Sequence, residues 1–404
     1  MSSITNERLD SLLETVQQLY PSSQVRVVRK LSAQQQGLRL VPSLSNPRLA
    51  VPATVPSAAM WSAIRPCASD TASNKVRRYG LAAMLRSPLL RWLMPSGIVI
   101  DAAPDSILEV FENVFGREVC FSLMTGTARA NRKPVLGVFD SSGNELGFAK
   151  VGFSELAKDL VQNEYHALQA MNKVQHPGIQ VPRVLNLTPW NDAPVLIMSA
   201  LRPDAWQQAI DLPVATVRAI IASAPVRSER INQSQWFYTL LTTLQDLPSE
   251  AEAAPLIDLL RAMAVRFNHL EVATGAWHGD FGAWNMARTS GAPMVWDWER
   301  YSLDIPLGLD LFHFSSHESL RRIGDSESAI TALTNPHLAR AAHSLHRQYT
   351  DSSESIDLAQ LLPLMYLATM AARFITDGFR HSVGDTLALG QWHVSVLKEL
   401  YSKR

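Results

Sequence analysis

The 404-residue chain has only two cysteines, Cys67 and Cys120. Two thiols cannot build a multi-bridge scaffold, so a reducing compartment is expected. It also lacks net charge, with 37 Lys and Arg against 37 Asp and Glu. That balance leaves no electrostatic footprint for nucleic acid as a main partner. No uninterrupted apolar run reaches the roughly 18 residues a spanning helix needs, so no transmembrane segment is expected. The opening Met-Ser-Ser-Ile-Thr-Asn-Glu-Arg has no charged stretch leading into an apolar core, so no secretion signal is expected either. The chain therefore reads as a cytoplasmic protein, long enough for two or three packed units.

One further absence is local. Residues 71–100 contain no acid, while Lys75, Arg77, Arg78, Arg86 and Arg91 stand among Leu, Met and Trp. A basic amphipathic helix over 71–94 either makes contact with a membrane surface or docks its apolar side on a neighbouring domain and solvates the basic side.

What is present is concentrated in 277–300: Trp-His-Gly-Asp-Phe-Gly-Ala-Trp-Asn-Met-Ala-Arg-Thr-Ser-Gly-Ala-Pro-Met-Val-Trp-Asp-Trp-Glu-Arg. Asn285 follows Asp280 by five residues, and Asp297 follows the apolar run Met294-Val295-Trp296. Residues 286–288 read as a short strand, 289–293 as a turn and 294–296 as the return strand. On that reading Asp280 and Asn285 share a loop, and Asp297 emerges beside it. Two carboxylates and an amide oxygen are hard ligands that suit Mg²⁺, an ion that usually bridges substrate phosphates.

Upstream, Val119–Leu123, Pro134–Phe139 and Glu145–Val151 read as three strands. Lys150 closes the third of them, between Ala149 and Val151. Ser154 is a good N-cap for the following helix, whose apolar stripe is Leu156, Leu160, Leu168 and Met171. Glu164 falls on that same stripe. A carboxylate on a buried face needs a partner, and Lys150 is the obvious one.

His278-Gly279-Asp280 with Asn285, then Trp296-Asp297-Trp298-Glu299, closely resembles the aminoglycoside phosphotransferase and choline kinase-like group, small-molecule relatives of the protein kinases. The resemblance implies an α+β, bilobal protein kinase-like fold: a small antiparallel N-lobe and a mostly helical C-lobe. An extra N-terminal α/β extension of unknown role, 1–104, would precede a nucleotide-binding N-lobe over 105–200 and a helical C-lobe over 201–404. It implies ATP or GTP and Mg²⁺ as cofactors, Asp280 as the base, and Asn285 and Asp297 as metal ligands. Lys150, held by Glu164, would meet the α- and β-phosphates. The turn around Gly126 and Thr127 would cover the phosphates, although it is not a Gly-x-Gly-x-x-Gly loop. Backbone groups from Met198 to Ala200 would meet the purine edge. Glu299 would face substrate or bind Arg300, and Trp284 and its neighbours Trp277, Trp296 and Trp298 would wall a pocket or pack a core. Asp310 is expected to cap the next helix, and His313 and His317 to be structural or solvated.

The activity implied is transfer of the γ-phosphate of ATP or GTP to a hydroxyl of a small molecule such as a sugar, an amino alcohol or an aminoglycoside-like compound. The alternative is a catalytically silent kinase-like nucleotide-binding module acting through a partner protein. A protein kinase is disfavoured by Gly279 where those enzymes usually carry Arg, and by the absence of Phe-Gly after Asp297.

Overall fold

The computed structural model describes residues 2–32, 35–87, 91–101, 105–124, 133–173, 178–204, 211–350, 355–381 and 384–403. The chain forms two compact units. One takes in Met1–Asn172 and Pro182–Ala209, the other Lys173–Val181 and Ile210–Arg404.

The first unit begins with α1 (Ser2–Leu19), β1 (Val25–Val28), β2 (Gly37–Val41), β3 (Leu49–Pro52), α2 (Pro56–Ala63), α3 (Ala72–Arg86) and β4 (Gly97–Ile100). It continues with α4 (Ile107–Phe115), β5 (Val119–Met124), β6 (Val135–Asp140), β7 (Glu145–Val151), α5 (Glu155–Lys173), β8 (Val184–Trp190) and β9 (Ala193–Ser199). The nine strands join one antiparallel sheet in the order β1-β4-β2-β3-β5-β6-β7-β9-β8. The expected N-terminal segment and the expected nucleotide lobe thus share a ladder, with Leu49 opposite Met124 and Ala50 opposite Leu123. They also share a core: Leu12, Leu19, Leu40 and Ile98 pack in one cluster with Phe111, Phe121, Leu136 and Ile197.

One local contact binds these parts further. Arg65 pairs with Glu145 and lays its guanidinium 4.3 Å from the centre of the Phe148 ring. In α3, Ala82 and Leu85 pack with Val51, Ala59 and Met94, while Arg78 reaches Asp70 at 2.7 Å. The basic helix therefore buries its apolar face within its own unit, leaving Arg77, Arg86 and Trp92 exposed. Residues 184–190 form the edge strand β8. Pro189 is tolerated there because an edge strand has ladder partners on one side only.

The second unit contains α6 (Val214–Ile221), β10 (Arg227–Arg230), α7 (Gln235–Gln245), α8 (Glu250–Arg266), β11 (Glu271–Trp277), β12 (Met286–Ala287), β13 (Met294–Val295) and β14 (Ser302–Pro306). The helices α9 (Leu309–Leu320), α10 (Ser326–Leu333), α11 (Pro336–His346), α12 (Ser355–Arg380) and α13 (Gly384–Ser402) complete it. Between α8 and the loop that follows residue 277 lies β11, buried from Val272 to Trp277 between β10 and β14. Its small residues are weak strand formers, so the two neighbouring strands impose the conformation.

The long helix α12 lies against α7, α8, α9, α11 and α13. It is long and apolar enough to cross a membrane, but 78% of its apolar window is buried inside the protein. A core helix apolar on all sides is the physical reading of that burial.

Candidate active site

The loop after β11 is held by groups from distant parts of the second unit. Gly279 adopts φ +83°, and a Cβ there would lie 2.3 Å from the Arg300 carbonyl oxygen. Only glycine meets both conditions. The His278 and Gly279 N–H groups donate to the Asp310 carboxylate at 2.8 and 3.1 Å. Asp310 therefore does not cap α9 as expected. Gly308 occupies the cap position without a side-chain bond, and the carboxylate satisfies two loop donors that burial would otherwise leave orphaned. Burial pushes the Asp310 carboxyl up, against the two N–H groups that favour its ionised form.

His278 accepts the Asp280 N–H on Nδ1 at 3.3 Å and donates from Nε2 to the Trp296 carbonyl at 3.0 Å. It ties the loop to the residue preceding Asp297. From α12, Arg373 donates to the Gly279 carbonyl at 2.6 Å and lies 4.9 Å over the Trp277 ring.

Asp280 is held by both carboxylate oxygens. His313 Nε2 lies 3.1 Å from Oδ1, and Asn285 Nδ2 donates to Oδ2 at 3.0 Å and to the Asp280 carbonyl at 2.9 Å. The side chain remains 30% exposed. Burial raises the pKa of its carboxyl. The His313 hydrogen bond, with the neighbouring His278 and His317 rings, outweighs that and holds it below the usual carboxylate range. Asp280 is thus ionised at neutral pH, as a proton acceptor must be.

The hairpin pairs Met286 with Val295, and the Trp296 N–H donates to the Asn285 carbonyl at 3.1 Å. This brings Asp297 next to Asn285. Asp297 itself sits at φ +69°, a left-handed conformation uncommon for a residue with a side chain. Carboxylate oxygens of Asp297 and Glu299 come within 4.8 Å of one another. With its Nδ2 committed to Asp280, Asn285 turns its amide oxygen the other way. The donor set of amide and carboxylate oxygens fits a hard divalent cation such as Mg²⁺.

Trp284 is half-buried, its ring lying so close to Gly282 that a Cβ there would be 2.3 Å away, and 4.8 Å from the His317 ring. Burial, followed by the neighbouring His313 ring, lowers His317 to about 3, so it is neutral at physiological pH. Trp277 and Trp298 are core residues, bonded through Nε1 to Ser302 Oγ and to the Val295 carbonyl.

In the first unit, Lys150 Nζ donates to Glu164 Oε2 at 2.5 Å. Both are buried, between a strand whose Ala149 and Val151 are inaccessible and the apolar face of α5. Ser154 Oγ accepts the Ala157 N–H at 3.2 Å, capping that helix. Met198 is buried within β9, opposite Phe148 of β7 and Val184 of β8, and Ala200 lies just past the strand's end. Gly126 and Thr127 lie outside the described residues.

Three groups around Asp280 escaped the sequence reading. Tyr366 and Arg373 sit on α12, about ninety residues downstream, with no local signal. His313 had one signal, its i, i+4 spacing from His317, which carries no pointer to a carboxylate.

The order of elements defines a protein kinase-like α+β fold. Strands β5, β6 and β7 precede α5 and its Glu, β8 and β9 follow, and helices then lead to a loop Asp, an Asn five residues on and a hairpin ending in Asp. Scans of protein-family profiles and of curated protein sequences give no match. Solved structures similar to the chain include an aminoglycoside phosphotransferase in complex with ADP and hygromycin B, at 12% identity and TM-score 0.44, over 73% of this chain and 98% of that one. An ethanolamine kinase of Plasmodium vivax aligns at 11% identity and TM-score 0.44, over 71% and 83%. An amicoumacin kinase in complex with AMP-PNP and Ca²⁺ aligns at 12% identity and TM-score 0.42, over 70% and 88%. At such values these likenesses carry no functional weight, and the chemistry has to be argued from the side chains.

Proposed function

We propose that the protein transfers the γ-phosphoryl group of ATP or GTP to a hydroxyl of a small molecule: a sugar, an amino alcohol or an aminoglycoside-like compound. The observation that carries this reading is the Asp280–Asn285 pair, with Asp297 one residue beyond the Asn285–Trp296 backbone bond. Asp280 accepts the proton of the attacking hydroxyl as its oxygen bonds to phosphorus and the bond to the β-phosphate oxygen breaks, releasing the nucleoside diphosphate. Asn285 and Asp297 would hold Mg²⁺, with Glu299 beside Asp297. A bound Mg²⁺ would supply charge neutralisation on the phosphates. Lys150, fixed by Glu164, meets the α- and β-phosphates, and Ala200 offers backbone groups to the purine. Trp284 lines the approach of the acceptor. Catalysis of this kind is mostly positioning and electrostatic stabilisation, which suits a loop gripped from so many sides.

The test is binding of Mg²⁺ with ATP and with GTP by thermal shift, beside Asp297→Ala and Lys150→Ala. A metal-dependent rise in Tm is expected, of the size that about 3 kcal/mol of ligand stabilisation produces at a hundredfold excess over Kd. Both substitutions should weaken it. The absence of any shift at millimolar nucleotide would sink the reading. Nucleotide binding with no transfer to any acceptor or to water would favour the silent module.

A further inference from the structure

We propose that Tyr366 and His313 are positioning residues that fix the orientation of the Asp280 carboxylate for proton acceptance from the acceptor hydroxyl; the proposal rests on the phosphotransfer reading. Three side chains stand in series. The Tyr366 hydroxyl lies 3.1 Å from His313 Nδ1, and His313 Nε2 lies 3.1 Å from Asp280 Oδ1. Tyr366 and His313 are each 1% exposed.

The direction of the chain follows from proton counting. Burial pushes the Tyr366 phenol well above its ordinary value, so it keeps its proton and donates it to Nδ1. An imidazole whose Nδ1 accepts carries its proton on Nε2, and that N–H points at Asp280. The carboxylate is then tethered twice, at Oδ1 from α9 and at Oδ2 from Asn285 on the loop. One tether leaves a carboxylate free to rotate about its terminal torsion; two do not. An ionised carboxylate has about four lone-pair sites, so two donors leave room for a substrate hydroxyl on the exposed side.

Simple packing of a buried histidine does not account for this arrangement. His278 bonds the Asp280 N–H and the Trp296 carbonyl, His346 bonds the Ala273 N–H and the Leu307 carbonyl, and His393 bonds the Leu389 carbonyl. All three are satisfied on backbone groups. His313 is bonded to two side chains instead, one of them the proposed base. Neither His313 nor Tyr366 has a role in holding the metal or the nucleotide.

Two measurements on the full chain test the proposal. The first is ¹⁵N NMR of histidine-labelled protein at neutral pH, with the His313 signals assigned by their loss in His313→Gln. The expected tautomer has the proton on Nε2 and an accepting Nδ1 that shifts in Tyr366→Phe. A proton on Nδ1, or tautomers in fast average, would overturn the chain of bonds. The second is hydrolysis of Mg²⁺–ATP, with water as acceptor. His313→Leu should lower kcat by about 100-fold and Tyr366→Phe by roughly fivefold, both with KM for ATP within about twofold. His313→Gln, which keeps an N–H donor, should recover to within about fivefold of wild type. A loss that Gln does not rescue, or that moves KM equally, would overturn the positioning role. Wild-type protein without Mg²⁺-dependent hydrolysis sinks the phosphotransfer reading and the role with it, whereas the wrong tautomer in an active enzyme sinks the role alone. Tyr366→Phe and His313→Gln keep the test decisive should His313→Leu fail to fold.

Discussion

The two units hold buried charge in different ways. In the first, Lys150 and Glu164 neutralise each other in a nearly dry setting, 8% and 1% exposed at their side chains. Each depends on the other. In the second, none of the hydrogen bonds to the Asp280 carboxylate among the described residues comes from a lysine or arginine. It is steadied by a histidine, an amide and the backbone around it, and keeps an open side. A closed ion pair is a fixed strut, since losing one member strands a charge in low dielectric. A carboxylate held by single hydrogen bonds on two sides stays ionised and still has lone pairs to offer. One arrangement suits a group that must not move, the other a group that must react.

Asp280→Asn should separate these roles most sharply. It removes the proton acceptor while preserving the side-chain shape, and should lower Mg²⁺-dependent ATP turnover roughly a thousandfold, about 4 kcal/mol of transition-state stabilisation. Its Tm should stay within a few degrees of wild type. A variant that loses stability but keeps turnover would make Asp280 a strut as well, and the contrast would collapse.

Glu164→Ala is the mirror experiment. It removes the hydrogen-bonded Glu164 carboxylate from beside the buried Lys150 ammonium, and should cost about 3 kcal/mol in denaturant unfolding. Replacing both residues by apolar ones of similar volume should cost much less. If the double replacement is as damaging as the single one, the pair is not a mutually dependent unit.

Acid supplies the third and smallest effect. His317, His346 and His393 all belong to the second unit, and burial lowers them to about 3, 4 and 4. His346 is inaccessible, accepting the Ala273 N–H and donating to the Leu307 carbonyl, so a second proton would break the first bond. Its folded pKa lies below the unfolded value of about 6.5, so the unfolded chain binds protons first as pH falls. The stabilisation is complete above about pH 6.5 and drains away down to about pH 4. At pH 5 the loss through His346 is about 2 kcal/mol. Hydrogen exchange should show amides of β11 and α11 losing protection before those of β6 and β7. Simultaneous loss, or earlier loss in the sheet, would contradict the assignment of acid sensitivity to the second unit.

Legibility in the sequence followed contact distance. Lys150 and Glu164 are fourteen residues apart on two strongly patterned elements, so strand end, helix cap and apolar stripe sufficed to pair them. The loop and hairpin of 277–300 were readable for the same reason. The grip on Asp280 was not, because His313 and Tyr366 are 33 and 86 residues away in sequence and reach it only through the packing of α9 and α12. Asp310 was misread because a carboxylate in the first turn of a helix has a familiar local use. Its bonds to the 278–279 backbone arise only when the helix is set beside β11. Strand β11 was obscured by composition, since Ala-Thr-Gly-Ala is dominated by small residues and lacks the alternation that marks a strand.

The shared ladder of β3 and β5 has a consequence for the history and handling of this chain. If the sheet began at β5, that strand would present an open row of amide and carbonyl groups to any passing strand. Leu49 and Ala50 pair with the end of that row, and α1 supplies Leu12, Val16 and Leu19 to the core beneath it. The first hundred residues are therefore not cargo that can be cut away to leave a tidy remainder. A truncated chain would expose a sticky edge and an uncovered apolar floor at once, and would be expected to self-associate. Whatever touches the N-terminal strands is also in mechanical register with Lys150, three strands along the same hydrogen-bonded fabric.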